Sequence, residues 1–139
     1  MATREELAAV AYAHAQAEAD GDMAATLATL ENDPVYEFQP AGVVLRGMEA
    51  AERYYDWFFN HMEMQIEGFE VRNEWVTDAG LGQEYILRVK LPDGTRKRFD
   101  LTSILTFGET KLSGERIYAS DELFRLMVGP AYQDAVPLE

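Results

Sequence analysis

The sequence predicts an α+β fold in which a strongly curved, mixed but mostly antiparallel sheet wraps around N-terminal helices. Three observations favour it. Apolar residues recur at helical spacing in the first half of the chain, they alternate with period two through most of the second half, and a turn rich in glycine, proline or aspartate separates the later strands. Helices that precede an antiparallel sheet are typical of a layered α+β fold. A length of 139 residues predicts one domain, 1–139.

Three helices are expected before the long strands. The first begins at a capping box, Thr3 with Glu6 three residues later, and ends at Gly21. The second is capped by Asp22 and is expected to continue through Leu30, because the segment 32–34 (Asn-Asp-Pro) would stop a helix. A third, rich in aromatic residues, follows Gly47. The apolar stripe of the first helix includes one histidine: Leu7, Val10, Ala11, His14 and Ala17.

A short strand at 35–38 is expected between the second and third helices, and a meander of long strands after the third helix. A phase shift at Glu67-Gly68 predicts a β-bulge that bends the first long strand. In this strand Phe69, Val71 and Trp75 share one parity. Ser120 is expected to cap a short final helix. A bulged sheet wrapped around a helix leaves an internal space suited to a small ligand.

Composition excludes several classes of function. The chain has 25 acidic and 12 basic residues, a formal net charge of −13, so we expect no binding to nucleic acid. The absence of cysteine excludes disulfides and thiolate chemistry. No apolar run approaches the roughly 18 residues of a membrane span, and the N-terminus lacks the apolar core of a signal peptide. We therefore expect a cytoplasmic protein with no membrane partner.

Four groups of motifs carry a family resemblance across nearly the whole chain. They are Tyr12-Ala13-His14 before Ala19-Asp20-Gly21-Asp22, then Asn32-Asp33-Pro34, then Leu45-Arg46-Gly47-Met48-Glu49-Ala50-Ala51 before Tyr54-Tyr55, and Leu112-Ser113-Gly114-Glu115-Arg116-Ile117-Tyr118 before Ser120-Asp121. In these segments the chain resembles the SnoaL-like families, which share the cone-shaped fold of nuclear transport factor two and ketosteroid isomerase. The resemblance implies a cone with an internal pocket, and homodimers built through the outer sheet face.

The resemblance does not carry over a known catalytic set. His14 matches the catalytic tyrosine of ketosteroid isomerase and Tyr55 a tyrosine that supports it, but Phe38 and Ser103 stand at its two aspartate positions. Ketosteroid isomerisation is therefore not expected. The Asp-Arg-Asp set of limonene epoxide hydrolase falls on Tyr85, Leu87 and Ile117, or on Glu84, Ile86 and Ile117 after a slip of one residue, so that chemistry is unsupported as well.

His14 and Glu115 are the candidate catalytic residues. A histidine on an apolar helix stripe is either a proton-transfer group or a core residue bonded to Tyr55 or a backbone carbonyl. Glu115 shares parity with Ile117. If that parity faces inward, burial raises the carboxyl pKa and suits it to proton transfer; otherwise it pairs with an arginine at the surface. Asp100 lies on the outward parity of its strand and becomes a candidate base only if a bulge turns it inward.

The expected ligand-binding residues are mostly aromatic and apolar positions on the inward parities. They are Tyr36, Phe38, Tyr55, Phe58, Trp75, Tyr85, Phe99, Leu101, Ser103 and Ile117. Two histidines without helical pairing favour no metal site, and no phosphate or dinucleotide motif is present, so no cofactor is expected.

The sequence therefore predicts a cofactor-independent enzyme of isomerase, lyase, cyclase or hydrolase type. Its expected partner is a hydrophobic small molecule, polyketide-, steroid- or terpenoid-like, as the resemblance implies. The alternative is a non-catalytic ligand-binding or dimerisation module of the same fold.

Overall fold

A computed structural model describes residues 2–139 of the chain. The helices in this range are α1 (Arg4–Ala19), α2 (Met23–Ala28), α3 (Met48–Trp57) and α4 (Asp121–Val128). The strands are β1 (Leu30–Gln39), β2 (Val43–Arg46), β3 (Ile66–Val76), β4 (Gly80–Lys90), β5 (Arg96–Phe107), β6 (Leu112–Tyr118) and β7 (Val136–Pro137).

The strands form one curved sheet in the order β3-β4-β5-β6-β1-β2-β7. Strands β1 and β6 pair in parallel, and the other neighbours pair antiparallel. The sheet is thus mixed but mostly antiparallel, and with the helices packed on its inner face the α+β prediction is confirmed. Within residues 2–139, no helix is long and apolar enough to cross a membrane.

Helix α1 forms as its sequence predicts. The Thr3 hydroxyl accepts a hydrogen bond from the Glu6 backbone N–H at 3.1 Å, which satisfies one of the free donors of the first turn. The buried stripe of the helix is Leu7, Ala11, His14 and Ala17. This stripe faces the sheet and places His14 in the interior.

Helix α2 is shorter than expected. It ends at Ala28, and Leu30 already begins β1, so the prediction that the helix continues through Leu30 is wrong. Pairing of β1 with β6 decides the outcome, because Leu30 is aligned with Leu112 and the regular register resumes at Val35. Asn32 and the next residues lie in the interruption, where a proline costs the sheet no hydrogen bond.

Strand β3 contains two irregularities. The expected bulge near Gly68 is present, and a second shift occurs between Val71 and Asn73. The second shift reverses the alternation of side chains after Val71. Trp75 is therefore paired with Gly82, and Gly82 is paired with Ile104 of β5, which is on the outer face, so Trp75 lies on the outer face as well. The expectation that Trp75 shares a face with Phe69 and Val71 is therefore wrong.

The end of α3 changes its winding. A π-helical turn (Phe58–Met62) and a 3₁₀ turn (Glu63–Gln65) lead into β3. Such irregular turns re-aim side chains that a regular helix would place elsewhere. Here they bring Phe58 and Glu63 to the same internal space.

Candidate functional site

A cavity of about 370 Å³ lies between α1, α3 and the inner face of the sheet. This is near the lower end of the roughly 300–1,000 Å³ typical of small-molecule sites. Four aromatic side chains border it: Tyr54, Phe58, Phe69 and Tyr85. Three carboxylates also border it, those of Glu18, Glu63 and Glu115. The space is therefore largely apolar with an acidic lining.

Part of the cavity wall is open to solvent. Two residues of the wall are exposed to solvent there, Ala19 at the end of α1 and Phe69, whose exposed fraction is 57%. The Phe69 ring packs on Tyr85 with centroids 4.9 Å apart. An apolar rim of this kind suits the entry of a hydrophobic molecule.

His14 is fully buried and held by Thr29. Its Nδ1 lies 2.7 Å from the Thr29 hydroxyl oxygen, and that hydroxyl donates its own proton to the Thr26 carbonyl at 2.6 Å. Thr29 can therefore only accept from His14, which assigns a proton to Nδ1. The other nitrogen, Nε2, is free to interact with side chains nearer the cavity.

Three side chains meet around the Nε2 atom of His14. It lies 2.6 Å from Glu18 Oε1 and 3.2 Å from the Tyr55 hydroxyl, and Tyr55 in turn lies 2.7 Å from the Tyr36 hydroxyl. Glu18 borders the cavity whereas His14, Tyr36 and Tyr55 do not. Sequence reasoning missed Glu18. Its position four residues after His14 was the available signal, because such residues share one face of a helix.

The pKa of His14 is raised above its usual value. Burial alone would lower it, but the Glu18 carboxylate, through its charge and a hydrogen bond, outweighs that effect, and Glu115 raises the pKa further when ionised. The imidazolium form is therefore favoured beside Glu18.

Glu115 is the buried acid of the site. It is 7% exposed, and the strand register places it opposite Leu105. Glu115 therefore lies on the inner face of the sheet, the same face as Ile117. Burial, reinforced by the charge of Glu18, raises its pKa to about 8, although His14 and the Ser103 hydroxyl act in the opposite direction. A carboxyl that keeps its proton at neutral pH can act as a general acid.

Within residues 2–139, the same cluster brings together three possible metal ligands. One ligand atom each from His14, Glu18 and Glu115 lies within 4.8 Å of the others. A nitrogen and two carboxylate oxygens could bind a divalent cation, and Thr29 would orient the imidazole. The expectation of no metal site rested on the lack of a paired histidine and did not consider Glu18.

The predicted ligand-binding residues fall in three places. Phe58, Tyr85 and Ser103 border the cavity. Trp75 lies on the outer face of the sheet. The others are buried around the cavity without bordering it: Tyr36, Phe38, Tyr55, Phe99, Leu101 and Ile117. Their role in binding stays a prediction.

Asp100 is exposed, as its parity indicates. It accepts a hydrogen bond from Arg98 at 2.9 Å on the outer face, and this contact lowers its carboxyl pKa. No bulge turns it inward, because β4 and β5 pair in continuous register past it.

Comparisons with known proteins identify the class of fold. Neither a protein-family model nor a curated protein sequence matches the chain. Among solved structures, an NTF2-like protein of unknown function from Burkholderia xenovorans is 24% identical, covering 84% of each chain with a TM-score of 0.63. The epoxide hydrolase/cyclase-like enzyme SalBIII, which has a role in pyran ring formation in the polyether salinomycin, is 15% identical, covering 88% of this chain and 96% of its own with a TM-score of 0.70.

A candidate polyketide cyclase of Xanthomonas campestris is similar as well, at 18% identity and a TM-score of 0.63, covering 91% of this chain and 98% of its own. At these identities the likeness concerns the fold. The chain has the cone-shaped fold of NTF2-like proteins and SnoaL-like polyketide cyclases, as the sequence resemblance implied.

Proposed function

We propose that this protein is a cofactor-independent enzyme that moves protons on a hydrophobic small molecule bound in the cavity. The proposal rests above all on Glu115, a carboxyl that is 7% exposed and borders an aromatic-walled cavity. It is supported by the second carboxylate of the wall, Glu18, which is hydrogen-bonded to His14. Two carboxyl groups in different environments are a common basis for acid and base roles in one site.

The chemistry assigns one role to each group. Glu115 gives its proton to a carbonyl oxygen of the ligand while Glu18 takes a proton from the adjacent carbon, so a ketone becomes its enol. Return of a proton to carbon, and of the oxygen-bound proton to Glu115, completes the cycle. The positive charge of the His14 imidazolium stabilises the Glu115 anion that remains after Glu115 has donated its proton. Its hydrogen bond to Glu18 holds that carboxylate in position. His14 thus acts as a positioning residue.

The test is proton exchange into a bicyclic ketone. We expect the protein in deuterated buffer at pH 7 to accelerate deuterium incorporation beside the carbonyl of 2-tetralone, followed by NMR. Glu115→Gln and Glu18→Gln should each lower the rate at least roughly 100-fold, the usual contribution of a general acid or base. Thr102→Val, on the half-buried outer parity of the same sheet, is the matched control and should exchange at the wild-type rate.

The alternative is a non-catalytic module that only binds its ligand. It is favoured by the loss of both aspartates at the positions of Phe38 and Ser103. Binding of 2-tetralone without any acceleration of exchange would support this alternative and remove the catalytic proposal.

A further inference from the structure

The ionisable lining of the cavity is acidic. Its ionisable groups other than tyrosine are the carboxyl groups of Glu18, Glu63 and Glu115, and no lysine or arginine of residues 2–139 borders it. None of the three forms an ion pair with a lysine or arginine in the described chain, and the ion-pair partner of Glu18 there is His14. Since Glu115 keeps its proton at neutral pH, Glu63 is the carboxylate of the wall that has no cation beside it in that part of the chain.

Glu63 has no part in the proposed proton transfer, and one of its carboxylate oxygens lacks a hydrogen-bond donor in the described chain. Its Oε2 atom is buried and has no hydrogen-bond partner among residues 2–139. The 3₁₀ turn after α3 places it over the end of α1, where its Oε1 lies 3.2 Å from the position that a Cβ on Gly21 would take. A buried carboxylate oxygen without a donor is costly, and a ligand donor would satisfy it.

The aromatic part of the wall is suited to a cationic ligand. Tyr54, Phe58, Phe69 and Tyr85 border the space. The faces of aromatic rings attract organic cations, more strongly when water is excluded. Three arginines of the sheet lie elsewhere, since Arg72, Arg88 and Arg98 are close enough to Asp100 on its outer face for their charges to lower its pKa.

We propose that the cavity selects hydrophobic ligands that carry a protonated amine, held between the Glu18 and Glu63 carboxylates with their apolar body against the aromatic wall. The net charge of −13 draws such cations toward the protein and repels carboxylates and phosphates. This inference names the ligand class of the proposed enzyme site, but the selectivity itself does not depend on turnover.

The test compares three ligands with one bicyclic skeleton by isothermal titration calorimetry at pH 7: 2-aminotetralin, 2-tetralol and tetralin-2-carboxylate. We expect the ammonium to bind at least about tenfold more tightly than the alcohol, the ratio that a charged hydrogen bond provides. The carboxylate should bind most weakly. Glu63→Gln should remove most of the advantage of the amine and leave the affinity for 2-tetralol unchanged.

Glu84→Gln is the matched control, because it removes one negative charge from an exposed residue on the outer parity of β4. It should keep the full preference for the amine. Equal affinities for amine and alcohol, equal effects of the two variants, or no binding of any of the three ligands would overturn the inference. Exchange of 2-tetralone without amine selectivity would overturn this inference alone, whereas selectivity without exchange would overturn only the proposed catalysis.

Discussion

At the scale of single residues, the buried Glu115 lowers the stability of the folded protein at neutral pH but is suited to act as a general acid. Its folded-state pKa of about 8 lies above the usual value of 4.5, with burial as the main cause. As the pH rises from about 4.5, the unfolded chain therefore releases this proton before the folded chain does. The free energy of unfolding falls through this range until about pH 8, where the folded state ionises as well.

Glu115→Gln should therefore stabilise the protein in a pH-dependent way. The amide has the same shape and cannot ionise, so its advantage over the wild type should grow by up to about 4 kcal/mol between pH 5 and pH 8.5. Urea unfolding at a series of pH values measures it. A stability difference that stays constant over this range would show that Glu115 titrates normally in the folded protein.

Residue patterns predict part of the site and miss the rest. Helical spacing placed His14 in the interior, and strand parity placed Glu115 on the side of Ile117. The contribution of Thr29 and Glu63 was not predictable, because Thr29 follows α2 and Glu63 follows a π-helical turn that no periodic pattern marks. The position of Glu18, four residues after His14, indicates a contact between the two side chains, but hydrophobic periodicity alone does not reveal it.

At the scale of elements, the parallel contact between β1 and β6 supports the site. Gly114 lies opposite Val35 in this pairing and directly precedes Glu115. A Cβ on Gly114 would stand 1.8 Å from the Val35 carbonyl oxygen, and its φ is +143°. Only glycine allows the two backbones to approach so closely at this conformation.

Gly114→Ala should cost more than about 2 kcal/mol of unfolding free energy, because it strains the backbone and separates β1 from β6. Gly94→Ala is the control. Its φ of +89° is also positive, but no atom of residues 2–139 beyond its two chain neighbours lies within 4 Å of the added carbon, so we expect a cost of about 1 kcal/mol. Thermal unfolding of the two variants compares them, and equal losses would mean that the close approach at Gly114 contributes nothing.

The two wrong expectations for elements have a common physical origin. The end of α2 and the face of Trp75 were both predicted from local patterns, but both are decided by pairing between strands distant in sequence. Leu30 aligns with Leu112, and the second shift in β3 turns Trp75 toward Gly82. A Cβ at residue 82 would lie 2.2 Å from the indole, so the glycine makes room for this ring. Tertiary pairing thus overrides local propensity.

At the scale of the whole molecule, the outer face of the sheet is not covered by the helices, which pack on the inner face. It carries Ile104 and Tyr118, the latter 45% exposed, among charged side chains. We propose, as the sequence resemblance implies, that two copies of the chain associate through this face. Light scattering should then give twice the chain mass of 15.7 kDa.

Tyr118→Asp should shift that mass toward one chain, because it would place an unpaired carboxylate between the two copies. Thr110→Asp, on an exposed turn between β5 and β6, should leave the mass unchanged. A wild-type mass of a single chain at micromolar concentration would argue against the dimer.

The fold as a whole was predictable because several independent signals agree. The capping box at Thr3, the alternation along β5 and the bulge near Gly68 all point to helices enclosed by a curved sheet. The reaction was not predictable, because this fold hosts many chemistries and the familiar aspartates are absent here.

The most direct test of the central claim is the pH dependence of proton exchange into 2-tetralone, with the buffer rate subtracted. If Glu115 is the general acid, the rate should be highest below about pH 8, fall above it as the carboxyl ionises, and be nearly abolished at every pH by Glu115→Gln. A rate that is the same in Glu115→Gln, or that continues to rise through pH 8, would contradict the account.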